Sequence, residues 1–141
     1  GLMLAAEQAL SHLAANARAM VALTDLLLDL LAERLPRVVR LGDAAHRLPH
    51  VLSLRIPGVN GETLQQRCSE RGLAFSIGAA CHSGAKDNPV LAAIGMERRA
   101  AREVVRLSVS AYTTEAEIRA AVEIMTEEAR AMHALAPQGA R

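Results

Sequence analysis

At 141 residues, with AVILMFWYC making up 51% of the chain and DEKR 22%, the sequence carries enough apolar surface for one globular domain with a real core. Sixteen basic residues face fifteen acidic ones without a basic block, and Phe75 and Tyr112 are the only aromatics, so neither the charge footprint nor the stacking platform of a nucleic-acid binder is present. The most leucine-rich stretch, 26–31, is interrupted by Asp29 and falls well short of the roughly 20 apolar residues of a membrane span, so no membrane partner is expected either.

Residues 2–35 are rich in Ala and Leu, lack internal Pro and Gly, and place Leu10, Leu13, Ala14, Ala17, Met20, Val21, Leu27, Leu28 and Leu31 at helical spacing. The pattern predicts one long helix ended by Pro36. Residues 38–41 are short and β-branched, Gly42-Asp43 marks a turn, and 50–56 alternates Val51, Ser53, Arg55 against Leu52, Leu54, Ile56, predicting two short strands. Pro57-Gly58 breaks the second strand, and Asn60 caps a helix that Gly72 stops. A third strand is expected over 73–77. Residues 78–88 are small and polar without periodicity and read as an exposed loop. Pro89 opens a short helix to Ile94, a second is expected over 97–103, and 104–109 reads as a fourth strand. Thr114, with Glu117 three residues on, is a capping box for a last helix whose face is Ile118, Val122, Met125, Ala129 and Met132.

This order predicts an α/β (α+β) fold, a small sheet covered by helices and preceded by a long N-terminal helix. The expected units are a linking helix at 1–35, a small domain at 36–134 and a flexible tail at 135–141. The sequence opens at Gly1, already inside a helical pattern, as expected of a piece cut or processed from something longer.

Cys81 draws the chemical reading, because it lies among Ala79, Ala80, His82, Ser83 and Gly84 rather than among packed apolar residues. Small neighbours leave a thiol accessible, and His82 or Lys86 can favour its thiolate, the nucleophilic form. The alternative is an incidental cysteine. Cys68, on the helix with Leu64, reads instead as a small buried hydrophobe, and no disulfide is needed, which fits a reducing cytoplasm. His12, His46, His50, His82 and His133 are dispersed, so no metal site is expected, and only His82 keeps a functional reading, as an auxiliary to Cys81. Arg106 stands mid-strand between residues expected to be buried. It either pairs with a structural glutamate or receives an anion through its planar fork.

Three segments together carry a resemblance. The runs Gly58-Val59-Asn60-Gly61-Glu62-Thr63-Leu64, Arg71-Gly72-Leu73-Ala74-Phe75-Ser76-Ile77-Gly78-Ala79-Ala80-Cys81, and Val104-Val105-Arg106-Leu107-Ser108 followed by Tyr112-Thr113-Thr114-Glu115-Ala116-Glu117-Ile118, occur in the order found in the C-terminal third of cysteine desulfurases. The chain is similar to that family over nearly all of residues 1–134, and Gly78-Ala79-Ala80-Cys81-His82-Ser83 most resembles its selenocysteine lyase branch.

The resemblance implies the mostly antiparallel small domain of a fold type I pyridoxal phosphate enzyme. It also implies that Cys81 takes sulfur from L-cysteine, or handles L-selenocysteine, forms a persulfide and leaves alanine. By the same resemblance Arg106 binds the substrate carboxylate, and the whole enzyme is a homodimer that passes the chalcogen to an acceptor protein. Ser110-Ala111 departs from the family's usual Gly-Arg. Such a cofactor needs a lysine, a partner for its ring nitrogen and a phosphate cradle. Lys86, the only lysine, lies in the Cys81 loop, so the cofactor is expected on a large domain missing from this chain, which alone is expected to be inactive. Two other readings stay open: a free sulfur-carrying or partner-binding module, and the small domain of a related transaminase.

Overall fold

The protein is described by a computed structural model covering residues 1–77 and 89–135. In chain order the elements are α1 (Leu2–Arg34), β1 (Val39–Arg40), β2 (Val51–Arg55), α2 (Gly61–Glu70), β3 (Ser76–Ile77), α3 (Pro89–Ala93), α4 (Arg98–Ala101), β4 (Val104–Ser108) and α5 (Glu115–Leu135). The order matches the sequence expectation, with two local differences. The third strand is only Ser76–Ile77, because α2 takes the backbone groups just before it: Leu73 N–H donates to the Cys68 carbonyl at 3.0 Å, and Gln65 Nε2 donates to the Phe75 carbonyl at 2.6 Å. Leu135, expected to begin the tail, is still the last residue of α5. The rest of that tail, 136–141, lies outside the described residues.

The strands form one sheet in the order β1-β2-β4-β3, antiparallel at each pairing, so the last strand in sequence occupies the interior. Alternation then sorts the side chains. Leu52 and Leu54 of β2 and Val105 and Leu107 of β4 face the helices and pack in one core with Leu27 and Leu31 of α1, Leu64 and Cys68 of α2, and Ile118, Val122, Met125 and Ala129 of α5. Each such leucine contributes about 1.5–3 kcal/mol by leaving water.

The helix ends are made by local polar chemistry. Asn60 Oδ1 accepts from Thr63 N–H at 3.0 Å at the start of α2. At the start of α5, Thr114 N–H donates to Glu117 Oε2 at 2.7 Å and Glu117 N–H to Thr114 Oγ1 at 3.2 Å, the reciprocal capping box. Gly61 is buried where α2 meets β4. Its N–H donates to the Arg102 carbonyl at 2.8 Å, and a Cβ there would stand 2.9 Å from the Val104 carbonyl oxygen.

The stripe drawn along α1 holds for only half its length. Leu27 and Leu31 are buried, with Thr24 beside them, whereas residues 1–15 are all exposed, Leu10 at 72% and Leu13 at 62%. Among the described residues nothing covers this first half. None of the helices among the described residues is long and apolar enough to cross a membrane.

Candidate active-site face

The sheet face turned away from the helices carries Ser53 and Arg55 of β2, Val104 and Arg106 of β4, and Ser76 of β3. Arg106 is at the centre of its strand, flanked in sequence by buried Val105 and Leu107, but it is itself exposed. Its neighbours are buried as expected, and in Val-Val-Arg-Leu-Ser the alternation turns 105 and 107 to the core and 106 to the open face. A structural ion pair is absent as well, since among the described residues the Arg106 guanidinium has no hydrogen bond or carboxylate partner.

Arg55, two residues along on the same face, behaves differently. Its Nε donates to Glu103 Oε2 at 2.7 Å, while Glu103 Oε1 accepts from Gly58 N–H at 2.9 Å. Of the two guanidinium groups carried by β2 and β4 on this face, one is neutralised and bound to the fold. Arg106 is the one without a carboxylate partner among the described residues.

The neighbours of Arg106 follow from the ladder. Ile56 N–H donates to the Glu103 carbonyl and Val109 N–H to the His50 carbonyl, each at 3.0 Å. Bonded pairs alternate with non-bonded ones in an antiparallel ladder, so Ser53 and Arg106 form a non-hydrogen-bonded pair, the kind that brings side chains closest. The Arg106 backbone accordingly faces β3, where its register partner is Ser76. Arg106 thus stands between two serines in one row across three strands. Sequence reasoning missed both serines. The polar phase of the alternation at 51–55 was the available signal for Ser53, but pairing it with Arg106 needs the register.

Cys81, His82 and Lys86 lie outside the residues that the structure describes. What it does describe is where their segment joins the sheet: the chain leaves at Ile77, whose register partner is Val105, next to Arg106, and returns at Pro89. The other candidate residues are accounted for locally. Cys68 is buried in the core, and loss of water, with the Glu128 charge adding to it, pushes its thiol up to about 11. His133 Nε2 donates to the Pro57 carbonyl at 2.9 Å, His12 Nδ1 donates to the Gln8 carbonyl at 2.9 Å, and His46 pairs with Asp43 at 3.1 Å. The Asp43 carboxyl is held below its ordinary value by the Ala45 N–H first and by His46 next. Ser110, at the Ser110-Ala111 departure, makes a local turn in which its N–H donates to Thr113 Oγ1 at 3.0 Å and its Oγ accepts from Tyr112 N–H at 3.1 Å.

The described residues do not form a pyridoxal phosphate pocket. They contain no lysine, and the starts of α2 and α5, where a phosphate cradle would be sought, are already satisfied, α2 by Asn60 and the Arg102 carbonyl and α5 by its capping box.

The chain is 32% identical over 138 residues to a cysteine desulfurase of Trichormus azollae, covering 97% of this chain and 34% of that protein. It is 38% identical over 119 residues to a cysteine desulfurase of Sinorhizobium fredii, covering 84% and 31%. A solved structure titled NifS-like protein superposes with a TM-score of 0.72 at 28% identity, over 86% of this chain and 30% of the other. The chain therefore spans about a third of the length of the relatives it matches. The model of the aminotransferase class-V family matches residues 1–121, and on that match the chain belongs to the class-V aminotransferase family.

Proposed function

We propose that this chain is the C-terminal part of a pyridoxal phosphate-dependent cysteine desulfurase or selenocysteine lyase. In this reading Cys81 takes the sulfur or selenium of the substrate, Arg106 holds the substrate's carboxylate, and alanine leaves. His82 beside Cys81 assists in keeping it as the thiolate. The Schiff-base lysine, the ring-nitrogen partner and the phosphate cradle come from a large domain equivalent to the two thirds of the relatives that this chain does not span. The complete enzyme works as a cytoplasmic homodimer and passes its chalcogen to an acceptor protein.

The observation that carries the reading is Arg106: a permanently charged, planar fork, centred on an open sheet face and without a partner among the described residues. The order of the sequence supports it: Cys81 follows by four residues Ile77, whose register partner Val105 is next to Arg106.

The test expresses residues 1–141 alone and, in parallel, the polypeptide encoded with its upstream region, and measures alanine formed from L-cysteine and L-selenocysteine with pyridoxal phosphate added. Turnover and cofactor absorbance in the longer protein only, with the L-cysteine reaction abolished by Cys81→Ala, is the expected result. A longer protein that binds no cofactor would favour a sulfur-carrying module. Full activity of Cys81→Ala on both substrates would favour a related transaminase.

A further inference from the structure

We propose that Ser53 and Ser76 belong to the carboxylate site, each donating a hydroxyl hydrogen bond to the anion that Arg106 receives. The inference rests on the functional reading above and extends it to two residues that sequence alone did not single out. Ser53 is the register partner of Arg106 on β2 and Ser76 its partner on β3, so the three side chains stand on one face in one row. Direct partners in such a row have Cβ atoms about 4.5–5.5 Å apart, close enough for a hydroxyl on either side to reach an anion seated on the central guanidinium. Ser53 occupies the non-hydrogen-bonded position, where the approach is closest.

Both hydroxyls are available. Among the described residues neither Ser53 nor Ser76 uses its Oγ in a hydrogen bond, although both are partly buried. Ser11 Oγ, by contrast, donates to the Gln8 carbonyl and Ser110 Oγ accepts from Tyr112 N–H, whereas Ser69 and Ser108 share the free state of Ser53 and Ser76. The row also lacks any carboxylate, since Glu103, the acid nearest in sequence, is held by Arg55 and Gly58. A site with one fixed cation and two neutral donors suits a single carboxylate with two acceptor oxygens. Small side chains on both sides leave room for it to seat flat against the fork.

Ser53→Ala, Ser76→Ala, Ser53→Thr and Arg106→Ala are made in the full-length polypeptide. KM and kcat for L-cysteine are measured, together with inhibition by L-alanine and by L-alaninamide, which replaces the carboxylate with a neutral amide. Hydrogen bonds to charged groups are worth about tenfold in affinity, and somewhat less when exposed, so each serine-to-alanine change is expected to raise KM for L-cysteine and weaken L-alanine inhibition about five- to tenfold. In the same variants kcat should move less than about twofold, L-alaninamide inhibition should be little changed, and Ser53→Thr should restore most of the loss. Unchanged L-alanine inhibition in both alanine variants, with Arg106→Ala weakening it, would overturn the role of the serines while leaving Arg106 in place. Equal weakening of L-alanine and L-alaninamide would also overturn it, by pointing to a structural effect. No change even in Arg106→Ala would remove the carboxylate site from this face and overturn both readings.

Discussion

Removing the Glu103 carboxylate leaves the Arg55 guanidinium and the Gly58 N–H without their partner, at a point where β2, the turn after it and the approach to β4 meet. Glu103→Ala is expected to cost about 1–2 kcal/mol, more than an exposed pair because the Glu103 side chain is only 14% exposed, read as a lower urea midpoint with unchanged slope. Glu128 makes a comparable link on the other side of the molecule. Arg67 first, then Arg71, hold its carboxyl below the ordinary value of 4.5. A depressed folded value means that the contribution is fully present above about pH 4.5 and is lost as the pH falls through the folded value. Urea titrations at stepped pH should therefore show an acid-side loss of stability that is shallower in Glu128→Gln. Cys68 gives the opposite case, a thiol raised to about 11. In a Cys81→Ala background it should stay unmodified by a disulfide reagent at pH 8 while folded, and react fully once urea unfolds the chain.

At the level of elements, the junction of α2 with β4 tolerates nothing larger than glycine at 61. Gly61→Ala forces its Cβ against the Val104 carbonyl, which lies 2.9 Å from that position, and backbone cannot swing aside as a side chain can. A loss of about 1–3 kcal/mol in thermal or urea unfolding is expected, and a wild-type midpoint would show that β4 shifts more freely than its packing implies. The elements were largely legible beforehand wherever the signal was local. The Asn60 cap, the capping box at Thr114 and Glu117, the alternation of Leu52, Leu54 and Ile56, and the buried face of α5 all follow from spacing of a few residues. What escaped depended on partners distant in sequence. Val-Val-Arg-Leu-Ser has apolar residues in both phases, so only the side on which α1, α2 and α5 pack decides that Arg106 faces outward. The serine row needed the register of three strands, and the shortness of β3 needed Gln65 and the end of α2 to claim its neighbours' backbone.

On the scale of the whole molecule, α1 divides into two physical regimes. Its 33 residues span about 50 Å, but only the C-terminal part, around Thr24, Leu27 and Leu31, is held by the core. The first fifteen residues depend on helix propensity alone, which is marginal at that length. Hydrogen exchange on residues 1–141 should therefore find fast amides over 2–15 and slow ones over 24–31, and a uniform rate along α1 would show that its exposed half acquires a cover in solution. The sheet order has a consequence in time. Because β4 lies between β2 and β3, a chain that has emerged only as far as residue 103 holds β1 against β2 but gives β3 nothing to pair with. Arg106 and the anchorage of the segment that bears the cysteine thus arrive in a single event, when the final strand slides into the interior.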